Sequence, residues 1–278
     1  MPKLSIIIVS FNSRNELDAC LGSITQSRQR IDYEIVVVDN ASSDGTAAYV
    51  RTRWPGVHLI DAGGNLGFAK ANNLGIRETF GELVLLLNPD TIVPPGALDG
   101  LAAELERRPD VAIVGPRIVD GEGRAELSFG RMISPLAELR QKLLVRGSRR
   151  EVAPVRAVVE RMTRRTREVD WVSGACLLVR RAELEAAGLL DERFFMYAED
   201  VDLCASIRAR GHKVLFAANV QVVHLRGRSV ASARGATERA YRRSQIAFYE
   251  KHHPSWARVL KAYLKIRGGT SDTPDIPD

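Results

Sequence analysis

The chain has 278 residues, 45% of them apolar, with 40 Lys plus Arg against 34 Asp plus Glu and a formal charge of +6. That length holds one large domain or two small ones, and the composition excludes a mainly disordered chain. The longest unbroken apolar runs, Ile6 to Val9 and Leu83 to Leu87, are far shorter than the roughly 20 residues that cross a bilayer.

In chain order, Leu4 to Val9 is a continuous β-branched run ended by Ser10-Phe11-Asn12, and Leu17, Cys20, Leu21 and Ile24 then recur at helical spacing. Strand, loop and helix follow one another. The unit repeats with Tyr33 to Val38 as a strand ended by Asp39-Asn40, the turn Ser42-Ser43-Asp44-Gly45, and Thr46 to Arg53 as a helix. His58 to Asp61 is predicted as a short strand, Gly67 to Glu78 as a helix, and Leu83 to Leu87 as a buried strand closed by Asn88-Pro89-Asp90. Strands alternating with helices imply βαβ units and a mostly parallel sheet flanked by helices.

Gly96 to Arg107 reads as a helix and Val111 to Val114 as a strand. Residues 124 to 167 lose the alternation and become Arg-rich, with Met132, Leu136, Leu139 and Leu143 at helical spacing, so a basic, partly helical insertion is expected. Trp171 to Val179 is predicted as one strand, Arg181 to Ala187 as a helix, Phe194 to Arg210 as loop then helix, and Lys213 to Phe216 and Val220 to His224 as two strands. Beyond Gly235 the chain reads as helical. The division expected is an α/β domain over 1–230, a helical extension over 231–267 and a flexible tail over 268–278.

Charge is unevenly placed. Residues 131 to 167 hold 11 Lys/Arg against 3 Asp/Glu, and residues 205 to 267 hold 14 against 2, which leaves the remaining body acidic. Near the end, Trp256, Val259, Leu260, Tyr263 and Leu264 form an apolar stripe with Arg258, Lys261, Lys265 and Arg267 around it. Such a basic amphipathic helix either packs on its own domain or lies on an anionic membrane surface. No signal-peptide pattern opens the chain, and three unclustered cysteines, Cys20, Cys176 and Cys204, suggest small core residues rather than a disulfide framework or zinc site. A cytoplasmic protein, peripheral at the inner membrane face, is expected.

In open α/β sheets ligands bind beyond the carboxyl ends of the strands, where the polar clusters after the first, second and Leu83–Leu87 strands fall. Asp90, pinned by Pro89, is the best candidate ligand for a hard cation such as Mg²⁺. Asn65-Leu66-Gly67-Phe68-Ala69-Lys70-Ala71-Asn72-Asn73 opens a helix with Gly, Lys and two Asn, and would present amides to a nucleotide or diphosphate. It has neither the Walker A nor the GxGxxG spacing. Glu199, Asp200 and Asp202 gather where the aromatic stretch from Phe194 to Tyr197 meets a helix. Such clusters often complement the helix dipole, but a partly desolvated carboxylate beside another also suits a general base. His224 ends a late strand; a lone histidine there is either a structural residue or, facing Asp90, completes a metal site.

These pieces, in this order, resemble family 2 glycosyltransferases with the GT-A fold, in particular the branch with bacterial rhamnosyltransferases: Ser5 to Asn12, Val36 to Thr46, Asn65 to Asn73, Leu86 to Thr91, Ser173 to Cys176, and Phe195 to Cys204. The resemblance implies a Rossmann-like sheet and an inverting transfer of sugar from a nucleotide-diphosphate donor to an acceptor hydroxyl. By position, Val9, Ser10, Phe11 and Asp39 would cradle base and ribose, while Asn65 and Gly67 would line the nucleotide pocket. Asn88 and Asp90 stand where the family has its DxD motif, the first Asp being replaced by Asn88; Asp90 and His224 would hold Mg²⁺ or Mn²⁺. Asp200 resembles the catalytic base, and Glu199 would hold donor or acceptor hydroxyls. The pattern favours dTDP-rhamnose as donor, with galactofuranose, glucose and N-acetylglucosamine donors open, and a glycan or lipid-linked acceptor in cell-surface polysaccharide synthesis.

Two other classes compete. A nucleotidyltransferase would share the layout but would carry a Gly-rich phosphate loop after its first strand, which Ser10-Phe11-Asn12 is not. A nucleic-acid-binding protein would explain the basic segments, yet no binding module is recognisable and no nucleic-acid partner is expected.

Overall fold

The computed structural model describes residues 1–27, 29–225 and 234–266; the expected tail lies outside them. In chain order the elements are β1 (Leu4–Ser10), α1 (Arg14–Gln26), β2 (Tyr33–Asp39), α2 (Thr46–Arg53), β3 (His58–Asp61), α3 (Phe68–Arg77), β4 (Leu83–Leu87), β5 (Thr91–Ile92), α4 (Ala97–Glu106), β6 (Val111–Val119) and β7 (Phe129–Gly130). They continue with α5 (Pro135–Arg149), α6 (Ala153–Met162), β8 (Arg167–Val169), β9 (Trp171–Val172), β10 (Cys176–Arg180), α7 (Arg181–Ala186), α8 (Glu199–Ala209), β11 (Lys213–His224), α9 (Arg234–His252) and α10 (Pro254–Ile266).

β1 and β4 read as unbroken apolar runs because every residue in them is buried, with helices covering both faces of the sheet they centre. One face packs Leu17, Leu21 and Ile24 of α1 and Leu98, Leu101 and Leu105 of α4. The other packs Ala71 and Ile76 of α3 and Leu203, Cys204 and Ile207 of α8. The sheet order is β3-β2-β1-β4-β10-β6-β11-β5, with β8 also on β11. β3, β2, β1 and β4 are parallel, and β6 and β11 are parallel to each other; β10 runs antiparallel between β4 and β6. The sheet is therefore mostly parallel. β1 has β2 on one side and β4 on the other, so the winding reverses there and opens a crevice at the strands' carboxyl ends.

Among the boundaries that differ from the expectation, three have a local reason. The single strand expected over Trp171–Val179 is two, because Ser173, Gly174 and Ala175 turn the chain between β9 and β10. The two late strands are one, β11, with a register irregularity between Ala217 and Gln221 against β6. The helical C-terminal stretch breaks at His253, since Pro254 cannot donate a backbone hydrogen bond and instead begins α10. All three cysteines are buried and free.

Candidate active site

Six segments meet at the carboxyl end of the sheet, the loops after β1, β2 and β4, the loops before α3 and α8, and the turn between β9 and β10, and hydrogen bonds join each to a neighbour. Ser10 and Asp39 are register partners at the ends of β1 and β2. Val9 and Ser10 are buried, while Phe11 stands out at 44% exposure. Ser10 Oγ lies 2.9 Å from Ser13 Oγ. Asp39 is buried; its Oδ2 accepts from Ser42 N at 3.2 Å, and its Oδ1 has no partner. An orphaned buried acceptor at a strand end is a place for a ligand's donor.

Asn40 then ties this corner to the loop before α3. Its Nδ2 donates to Asn65 Oδ1 at 3.0 Å, and its Oδ1 accepts from Leu66 N at 2.8 Å. Asn65 Oδ1 also accepts from Gly67 N at 3.2 Å. Gly67 has φ +78°, and a Cβ there would lie 2.5 Å from the Phe195 carbonyl oxygen. Phe68 N donates to that same oxygen at 2.6 Å. The glycine thus allows the loop before α3 to seat on the loop before α8. Of the two asparagines in α3, Asn73 spends both amide atoms inside the protein, while Asn72 keeps a buried Oδ1 without a partner. Both are buried, Asn72 Nδ2 donating to Phe68 O at 2.8 Å and Asn73 closing on Leu190 N and O at 3.1 and 2.8 Å.

After β4, the two-residue β5 turns the chain against β11, with His224 opposite Thr91 in the register. That pairing brings His224 to Asp90 across the sequence: Nε2 donates to Asp90 Oδ1 at 3.0 Å and lies 3.4 Å from Asn88 Nδ2. Glu126 Oε2 faces the other ring nitrogen, Nδ1, at 3.6 Å. Burial opposes charge on the ring, but the Asp90 and Glu126 carboxylates outweigh it and push His224 up to about 9. Glu126 had no signal in the sequence, because it sits in the segment read only as basic.

The turn between β9 and β10 joins this corner to the acidic helix start. Asn88 N donates to Ala175 O at 3.0 Å, and Gly174 N donates to Asp200 Oδ2 at 2.8 Å. Asp200 Oδ1 accepts from Val201 N at 2.8 Å. Burial raises the Asp200 carboxyl above its ordinary value, although the two N–H groups favour its anion. Glu199 is buried with Oε2 unpartnered, and burial followed by the charges of Asp200 and Asp202 holds it well above the ordinary range. Asp202 plays a different part: buried, it pairs with Lys251 Nζ at 2.8 Å and His252 Nε2 at 2.6 Å on α9. Tyr197 and Ala198, which lead into α8, both have left-handed backbone, at φ 72° and 69°. Two such residues outside glycine carry a cost of about 1–3 kcal/mol each and gather at functional sites.

Among the described residues no group of three or more His, Cys, Asp and Glu is arranged to hold a metal ion. Nor is any described helix long and apolar enough to cross a membrane.

A mostly parallel sheet whose crevice gathers the orphaned Asp39 carboxylate, the Asp90–His224 pair after β4 and a raised carboxylate at the start of α8 has the layout of a GT-A type of glycosyltransferase. The model described as glycosyl transferase family 2 matches residues 5–168, and the chain belongs to that family. Over 95% of its length it is 30% identical to N-acetylglucosaminyl-diphospho-decaprenol L-rhamnosyltransferase of Mycobacterium tuberculosis, covering 91% of that protein. It is 28% identical, over 80% of its length, to the low-salt glycan biosynthesis hexosyltransferase of Haloferax volcanii, covering 66% of it. Among solved structures, the mannosyltransferase of Pyrobaculum calidifontis in complex with GDP-Man and Mn²⁺ has a TM-score of 0.59 at 19% identity, covering 98% of this chain and 77% of that one. Membership of the family sets aside the nucleotidyltransferase and nucleic-acid-binding alternatives.

Proposed function

We propose that this glycosyltransferase is an inverting, metal-assisted L-rhamnosyltransferase that moves rhamnose from dTDP-rhamnose to a hydroxyl of a lipid-linked glycan in cell-surface polysaccharide synthesis, at the cytoplasmic face of the membrane. The observation that carries this reading is the match, nearly end to end in both chains, with a relative whose name pairs L-rhamnosyl transfer with a diphospho-decaprenol.

On this reading Asp39 Oδ1, buried and unpartnered, accepts from the imide N–H of the thymine. Phe11 offers a ring face to the base, Val9 and Ser10 form the pocket floor, and Asn65 and Gly67 line its far wall. Asn88 and Asp90 face the diphosphate.

The donor set fits a divalent cation. Asp90 would give a carboxylate oxygen and His224 an imidazole nitrogen, a mixed pair of donors that favours Mn²⁺ over Mg²⁺. Glu126, facing Nδ1, would hold the ring with Nε2 toward the ion. When bound, the cation would supply Lewis-acid stabilisation of the departing nucleoside diphosphate.

The remaining chemistry belongs to the chain. Asp200, its anion oriented by Gly174 N and Val201 N, takes the proton of the acceptor hydroxyl as the oxygen bonds to the anomeric carbon. The bond from that carbon to the diphosphate oxygen breaks in the same displacement, and the anomeric centre inverts. Glu199, a buried acid with a free acceptor atom, holds a sugar hydroxyl beside it.

Thermal-shift measurement with a panel of nucleotide sugars and Mn²⁺ tests the donor: dTDP-rhamnose is expected to give the largest stabilisation. A larger shift with UDP-N-acetylglucosamine or GDP-mannose would overturn the rhamnosyl assignment.

A further inference from the structure

α5 has two unlike faces. On its inner face, Glu138 accepts from the hydroxyls of Tyr241 and Tyr249 on α9 at 2.8 and 3.1 Å and pairs with Lys142 at 2.6 Å. Gln141 Nε2 donates to Phe129 O at 3.3 Å, and Leu144 and Val145 pack against the sheet's core. Leu136, Leu139 and Leu143 recur at i, i+3 and i+7 on the outer face, where they are 81%, 56% and 61% exposed. The helical spacing seen in the sequence thus lines these leucines up on one solvent-facing side of α5. Single exposed leucines are ordinary; three aligned on one helix are not. Arg140, Arg146 and Arg150 border the stripe, are exposed, and form no ion pair with any described acid. An apolar stripe between unpaired cations is the composition of a helix lying in the headgroup boundary of a bilayer.

We propose that the outer face of α5 docks this enzyme on an anionic lipid bilayer, with the three leucines entering the headgroup boundary and Arg140, Arg146 and Arg150 meeting lipid phosphates. This deepens the lipid-linked acceptor reading and rests on it. Charge selects the occupant. A second copy of the same face would set arginine against arginine across a self-complementary contact, whereas an anionic surface pairs with all three. The docked helix is also joined to the catalytic loop. Glu138 binds α9, and Ser244 of α9 donates to the Met196 carbonyl at 2.7 Å, just before the left-handed pair that leads to Asp200.

The test is sedimentation of the full chain with phosphatidylcholine vesicles, with and without phosphatidylglycerol. Binding is expected only with phosphatidylglycerol and is expected to weaken with salt. The variant Leu136→Ser/Leu139→Ser/Leu143→Ser should lose at least about tenfold in partitioning, and Arg140→Glu/Arg146→Glu a similar factor. Both should keep the wild-type Tm and nucleotide-sugar thermal shift. Absence of binding by the wild type, or wild-type binding by the leucine variant, would overturn the proposal. So would a dimer in light scattering that the leucine variant abolishes, since a second copy would then cover the stripe. Vesicle binding alongside a missing dTDP-rhamnose shift would instead count against the rhamnosyl reading and leave the docking face standing.

Discussion

Glu199 and Asp200 are adjacent, and burial raises both carboxyls, yet their partners differ. Asp200 accepts two backbone N–H groups that favour its anion, while Glu199 keeps an oxygen without a partner. Asp200→Asn is expected to lower kcat by at least about 10²-fold, the usual contribution of a positioned base, with donor affinity unchanged. In the wild type, kcat should fall on acidification with a midpoint above the ordinary carboxylate range, and the residual activity of Asp200→Asn should lack that limb. Glu199 makes a stability prediction of its own. Its folded-state pKa lies above its unfolded one, so its contribution to stability is full below the unfolded value and is lost as pH rises through the folded value. Glu199→Gln should therefore raise Tm at pH 8 by a few degrees, consistent with about 1–3 kcal/mol for a buried unpaired group, and give no gain at pH 4, while lowering transfer. Thermal denaturation at the two pH values measures it. The pair was legible in the sequence because acids beside aromatic residues at a helix start are a local pattern. Glu126 was not, because its meaning comes from a histidine almost a hundred residues later.

Among the elements, α9 holds the strained entry to α8. Phe248 is wholly buried and packs with Phe194 and Val201, Ser244 donates to the Met196 carbonyl, and Lys251 Nζ and His252 Nε2 hold the buried Asp202 carboxylate. Lys251 also reaches Asp191 at 2.8 Å. Left-handed backbone at Tyr197 and Ala198 persists only while surrounding contacts hold it, and these contacts do so from outside the stretch that the family model matches. Phe248→Ala should cost about 3–5 kcal/mol, as for other buried aromatic truncations. It should also lower kcat more than donor affinity, because Asp200 rather than the Asp39 corner loses its support. Denaturation and steady-state kinetics on the one variant separate the two effects. The sequence announced α9 as a helix but gave no sign of its partners, since its basic residues stood out only as part of the charge excess over 205–267. Lys251 instead spends its charge inside the protein.

At the scale of the whole molecule, the proposed ligands are Asp90 and His224, and among the described residues no larger cluster of His, Cys, Asp and Glu is arranged to hold a metal ion. The diphosphate must then complete any metal site. Nucleotide and Mn²⁺ should each give a small thermal shift alone and a much larger one together. EDTA should abolish the excess, and Asp90→Ala should remove it while leaving nucleotide-only binding in place; equal shifts with and without metal would refute the shared site. The modest +6 is likewise an average over segments, and the exposed arginines of α5 show that part of it faces outward. By itself the sequence determined the βαβ order, the buried strands, and the polar residues at their carboxyl ends. Those depend on periodicity and turn chemistry within about ten neighbours, which the chain records directly. Only the tertiary structure decided that β10 runs antiparallel beside β4, that β5 brings His224 to Asp90, that Asn73 faces inward, and that the α5 leucines face out. Each of these is set by which distant surfaces pack together, and an amphipathic pattern states that a face exists without stating what, if anything, covers it.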